Sequence, residues 1–270
     1  VTGTFLTTPD GTRLRFTDRG AGERTIVLVH GWKGSHRLWD PAVQRLSQDF
    51  RVIAFDNRGM GESDKPAGPY DFDVLADDLG FVLEELGAED ATLVGWSMGC
   101  SISLQYLSRG GGRVARLVLM NGPIVLRASE DFPFGVESAQ LDGYLDGLAA
   151  NWPEAELDFV RESMREPDGA FSQFSFQVAM QTPLEMAMRI VRAQTELDHR
   201  EALAALEVPV LAIYGGLDPY YPEALAAWIA DRARDGRHEI FENSAHAPHH
   251  DEADRFAAVV GAFASEQEED

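Results

Sequence analysis

Ile26-Val27-Leu28-Val29 is an unbroken apolar run of the kind found in strands covered on both faces. Residues 51–55, 91–94, 116–120 and 210–214 form further short β-branched runs, and 239–241 is a weaker one. A strand with no wet face needs helices above and below it, so these runs confine the chain to a mostly parallel sheet flanked by helices. The segments between them have matching amphipathic spacing, at 38–48, 74–86, 98–107, 222–233 and 253–263. Two N-terminal strands, 4–8 and 13–17, meet at the turn Pro9-Asp10-Gly11.

The alternation stops between Ile124 and Leu206. That stretch shows no convincing strand and reads as several helices, including 137–150, 154–164 and 184–197. An all-helical insertion between two parallel strands is placed over their carboxyl ends, where open α/β sheets bind ligands. The expected organisation is a core of residues 1–123 and 207–270, with 124–206 as a helical cap.

Composition narrows the partners. The 270 residues carry a formal charge of −22, which repels phosphate backbones and anionic lipid, so neither nucleic acid nor membrane is expected as a partner. No apolar run is long enough to span a bilayer, and the first residues lack the pattern of a secretory signal, so the expected location is cytoplasmic. Cys100 is the single cysteine, which excludes an intrachain disulfide and a cysteine metal cluster. The acidic end, 265–270, reads as a solvated tail.

The sharpest local signal is Gly95-Trp96-Ser97-Met98-Gly99, set between a strand and a helix. A serine projecting from such a turn must adopt a strained backbone, and the flanking glycines let neighbouring chain approach it. A serine hydroxyl needs a base. Of the seven histidines, His246 lies after the last strand and before the final helix. Its neighbours His249 and His250 sit further towards that helix, flanking it or facing solvent. His30 reads as a packing residue in its loop, and His36, His199 and His238 have no supporting context. Asp218, just past the strand 210–214, is placed to orient the base and stabilise its charged form, although Asp218-Pro219 would also suit a simple turn into a helix. One strand earlier, where an acid could stand instead, the chain has Asn121. The order Ser97, Asp218, His246 is that of nucleophile-elbow hydrolases. Two N–H donors must meet the oxyanion: Met98 at the start of the helix, and Trp32 in His30-Gly31-Trp32.

These residues resemble the α/β-hydrolase superfamily across nearly the whole chain. His30-Gly31-Trp32 is similar to its oxyanion loop, and Asp56-Asn57-Arg58-Gly59-Met60-Gly61-Glu62-Ser63-Asp64 to a loop that the family uses as scaffolding. The resemblance implies an α/β-hydrolase fold with a cap and a serine esterase or lactonase acting on small to medium apolar esters, without cofactor or metal. C–C bond hydrolysis or perhydrolysis on the same triad is the alternative, and a non-catalytic ligand-binding member of the fold is a further one. Serine at position 97 argues against epoxide hydrolases and haloalkane dehalogenases, which carry aspartate there. Within the cap, Phe134, Trp152, Phe174 and Met186 are the expected lining of an apolar substrate pocket, drawn from a larger set that includes Tyr144 and Phe159.

Overall fold

The structure is a computed structural model that describes residues 4–266. Eight strands form one sheet in the order β1-β2-β4-β3-β5-β6-β7-β8. They are β1 (Thr4–Thr7), β2 (Arg13–Arg19), β3 (Thr25–Val29), β4 (Arg51–Phe55), β5 (Ala91–Trp96), β6 (Val114–Met120), β7 (Val210–Gly215) and β8 (Gly236–Phe241). β1–β2 and β2–β4 pair antiparallel, and every later pair is parallel. Gly11, at φ +88°, closes the turn between β1 and β2, and its N–H donates to Thr8 O at 2.9 Å.

The helices are α1 (Asp40–Leu46), α2 (Phe72–Glu85), α3 (Met98–Ser108), α4 (Ser138–Ala150), α5 (Glu154–Ser163), α6 (Ala170–Ala179), α7 (Leu184–Gln194), α8 (Arg200–Ala205), α9 (Glu223–Arg232), α10 (Pro248–Asp251) and α11 (Ala253–Ser265). Period-two alternation splits β3 between two cores. Val27 and Val29 pack with Leu75, Leu79 and Ile102 on one face. Ile26 and Leu28 pack with Leu46, Val260 and Phe263 on the other. Each such side chain stabilises the fold by about 1.5–3 kcal/mol relative to exposure, so a register slip would forfeit both faces at once.

The sequence understates two regions. β8 begins at Gly236, because its first residues are partly exposed on an edge strand and need no apolar signature. The segment 36–48 starts as a 3₁₀ turn, His36–Trp39, before Pro41 seeds α1. Between β6 and β7 lie the three expected helices with α6 and α8 besides, and among the described residues only isolated bridges occur there. Leu141, Leu145, Ile190 and Val191 of this segment join the cluster that holds α2 and α3. No helix among the described residues is long and apolar enough to cross a membrane.

The acidic end is in part structural. Glu266 takes hydrogen bonds on its carbonyl from Arg24 (2.7 Å) and Arg116 (2.6 Å), and its carboxylate pairs with Arg237 at 2.5 Å. Residues 267–270 lie outside the described part, as do residues 1–3.

Candidate active site

Ser97 sits between β5 and α3 with φ +55° and ψ −120°, a region that side-chain-bearing residues rarely occupy. Packing holds it there. A Cβ on Gly99 would lie 2.2 Å from Val29 O, and one on Gly95 2.6 Å from Gly99 O, so only glycine lets the turn close against β3. Ser97 N–H donates to Met120 O at 2.9 Å, which ties the turn to β6.

Gly31 approaches from the β3 loop, where a Cβ would stand 3.0 Å from Ser97 Cβ. Trp32 follows it, and Met98 is the first residue of α3, where an N–H has no intrahelical acceptor. Neither backbone N–H has a protein acceptor among the described residues.

His246 Nδ1 lies 2.8 Å from Asp218 Oδ2. Asp218 Oδ1 in turn accepts from the N–H groups of Tyr220 (2.8 Å) and Tyr221 (3.3 Å), so both carboxylate oxygens are engaged in a buried setting. This leaves His246 Nε2 without a protein partner, and the Ser97 hydroxyl has none either, among the described residues. Both residues line one cavity of about 150 Å³, enough for a benzene-sized group. Serine–histidine bonds in unliganded sites are often long and tighten when substrate binds.

Asn121 shows why no acid stands at the end of β6. It is buried at φ +42°, donates to Ala245 O (2.8 Å) and accepts from Gly215 N–H (2.8 Å). It therefore braces the two loops that carry Asp218 and His246.

The other histidines divide by burial. His30 is neutral packing: Nδ1 donates to Gly31 O at 2.7 Å, Nε2 accepts from Asn57 N–H at 3.0 Å, and burial lowers its pKa. His36 has a partner that its sequence context did not reveal, Asp56 Oδ1 at 2.7 Å. Asp56 also accepts from Glu62 N–H at 2.6 Å, so the 56–64 loop is organised around it. His249 corrects an expectation. It flanks the final helix, as expected, but does not face solvent: it is fully buried, 4.4 Å from the Trp39 ring and 4.5 Å from the Trp96 ring. Burial pushes its pKa well down. His250 is partly exposed and stacks on Phe171 at 3.8 Å.

The four cap residues expected in the pocket are the larger correction, since none of them lines this cavity. Phe134 packs on Phe132 at 5.3 Å, and Trp152 packs against the core cluster. Phe174 lies beneath the Arg37 guanidinium, and Met186 Sδ meets Tyr70 Oη at 3.2 Å. Helical periodicity cannot tell a helix's cavity side from its packing side. The helical insertion instead contributes Leu126, Leu141, Tyr144, Phe159 and Val160 to the wall, with Tyr220 from the loop after β7.

Sequence reasoning also missed Lys33 and Glu156. Their buried side chains pair within the cavity wall, and Tyr144 Oη accepts from Lys33 Nζ at 2.8 Å. Burial pushes Lys33 down to about 8 against the pull of Glu156. Lys33 is one of only two lysines and adjoins the His30-Gly31-Trp32 loop, which was the available signal.

The family model for the alpha/beta hydrolase fold matches residues 24–253. A non-heme haloperoxidase of Rhodococcus erythropolis is 32% identical over 236 residues, covering 84% of this chain and 86% of that protein. The AB hydrolase superfamily protein YisY of Bacillus subtilis is 27% identical over 267 residues, covering 97% and 99%. An esterase from Exiguobacterium antarcticum superposes with a TM-score of 0.92 at 26% identity, covering 98% of this chain and all of that one. With its sheet order, its strained serine turn and this match over most of its length, the chain belongs to the α/β-hydrolase fold family.

Proposed function

We propose that the protein is a serine hydrolase of carboxylic esters or lactones, with Ser97 as nucleophile, His246 as general base and Asp218 as its supporting acid. One observation carries this reading: Ser97, strained at φ +55°, shares a cavity with a histidine whose far nitrogen is held 2.8 Å from a buried carboxylate. His246 Nε2 takes the hydroxyl proton as Ser97 attacks the carbonyl. The N–H groups of Trp32 and Met98 receive the oxyanion. His246 then protonates the leaving alcohol, and water activated by the same imidazole releases the acid. Asp218 keeps the proton on Nδ1 in the resting state and stabilises the imidazolium.

Residues 124–206 act in this reading as a cap that closes the cavity and selects the acyl or alcohol group. The similarity to a non-heme haloperoxidase favours perhydrolysis as a second reading, in which hydrogen peroxide replaces water at deacylation.

Fluorophosphonate labelling with an ester and lactone panel tests the proposal. Labelling and turnover in the wild type, both lost in Ser97→Ala, support it. A Ser97→Ala variant retaining turnover within about tenfold of wild type rules out the nucleophile, since removing a triad member costs several orders of magnitude. Adding peroxide and following peracid formation separates the two readings.

A further inference from the structure

The cavity beside Ser97 is mostly apolar, yet one part of its wall carries a fully buried ion pair. Lys33 Nζ contacts Glu156 Oε2 and Tyr144 Oη, and it lies 3.7 Å from the centroid of the Trp32 ring. Tyr144 Oη also reaches Glu156 Oε2, at 3.3 Å. One oxygen of the carboxylate therefore takes every protein contact. The other, Oε1, is buried without a hydrogen-bond partner, and Glu156 as a whole is 0% exposed. Ser175, which lines the same cavity, also has a buried Oγ without a partner.

A buried carboxylate oxygen with no donor is costly, so a fold that keeps one next to its reaction cavity has an acceptor to offer an incoming group. The pair is formally neutral and offers no net charge to a cation, and Glu162, the other acid in the cavity lining, is exposed to solvent. A hydroxyl fits instead: it can donate to Glu156 Oε1 and present its own oxygen to a neighbouring donor. An unsubstituted alkyl ester would leave the acceptor unserved, and sites built to bond a substrate hydroxyl discriminate strongly against analogues that lack it.

We infer that Lys33, Glu156 and Tyr144 form a polar subsite for a hydroxyl group, and that the substrate is a hydroxylated ester or lactone. The inference deepens the proposed hydrolase reading and rests on it for the word ester, but the subsite itself can be tested without turnover.

The test uses methyl ω-hydroxyalkanoates of graded chain length, and glycerol monoesters, each beside its deoxy counterpart. Binding to the Ser97→Ala protein is measured by calorimetry, and kcat/KM is measured on the wild type. At least one hydroxylated compound should bind more tightly than its counterpart by about tenfold or more. The preference should appear mainly in KM, be lost in the double variant Lys33→Met/Glu156→Leu, which takes the acceptor away, and be weakened in Tyr144→Phe. The double variant removes both charges together, because Glu156→Leu alone strands a buried ammonium and risks misfolding. In both variants the quantity read is the hydroxylated-to-deoxy ratio, with circular dichroism and continued fluorophosphonate labelling reporting that the fold and the serine are intact. Equal binding of every hydroxylated and deoxy pair overturns the inference, leaving Oε1 to a water only. So does a hydroxyl preference that survives both variants. Absent labelling and absent turnover, with the binding preference intact, would sink the esterase reading alone.

Discussion

The indole N–H of Trp96 donates to the carbonyl of His246 at 2.7 Å, so the residue before Ser97 anchors the loop that carries His246. The same loop is held from the opposite side, where His246 N–H donates to Ser163 O at 3.0 Å at the end of α5. Asn121 adds a third tie through Ala245 O. The imidazole position is thus set by three elements: the serine turn, the helical insertion and the end of β6.

Trp96→Phe keeps an aromatic ring, smaller than the indole, but leaves a buried carbonyl unpaired. We expect a stability loss of about 1–3 kcal/mol in urea titration, with a fall in kcat larger than any change in KM. Unchanged kcat would mean that the tie does not position His246.

Asp218→Asn should lower kcat by about a thousandfold or more, because the amide favours the wrong tautomer of His246. Asp56→Asn should act on stability, through His36 and the 56–64 loop, and leave the active fraction's kcat near wild type. Full activity in folded Asp218→Asn protein would place the acid elsewhere.

Phe159 lines the cavity and stacks on Tyr144 at 4.5 Å, whereas Phe174 does not line it. Phe159→Ala should therefore shift the ratio of kcat/KM between short and long acyl esters by about 1–3 kcal/mol equivalent. Phe174→Ala should leave that ratio unchanged while lowering Tm. The opposite result would relocate the pocket.

Cys100 lies three residues after Ser97 but is fully buried, and burial raises its thiol pKa. The native protein should resist iodoacetamide at neutral pH and react stoichiometrically once unfolded. Modification at the rate of a free thiol would show that the α3 end of the site opens in solution.

Acid stability should follow the buried histidines. His199 is pushed down to about 4 and His249 well below its ordinary value, both by burial. In the unfolded chain they titrate near about 6.5, so below that pH the unfolded state binds more protons than the fold. Their contribution to stability is complete above about pH 6.5 and is lost as pH falls through the folded values. Tm should drop between pH 6.5 and 4, and less so in His249→Phe. A Tm independent of pH over that range would contradict neutral burial.

Most of the sheet was legible in the sequence alone. The runs at 26–29, 51–55, 91–94 and 210–214 are apolar because both faces are covered, and all of them are strands. The setting of Gly95-Trp96-Ser97-Met98-Gly99 between strand and helix pointed to the strained turn, because only glycine tolerates the contact of Gly99 with Val29 O. These features depend on neighbours within a few residues or on the period of a strand, which a linear pattern records. Tertiary structure decided which side chains reach the cavity. Phe134, Trp152, Phe174 and Met186 have the same apolar character as Tyr144 and Phe159, and only the packing of the insertion sorts them. Lys33 and Glu156 stand 123 positions apart, so no local signal joins them. Position along the chain separated His246 from His249, three residues away, but did not disclose the burial of His249. One is sealed between Trp39 and Trp96 and kept neutral by burial, while the other meets Asp218 at the cavity wall. The physical reason is common to all three cases: desolvation and partner geometry belong to the assembled fold, and residue type alone does not carry them.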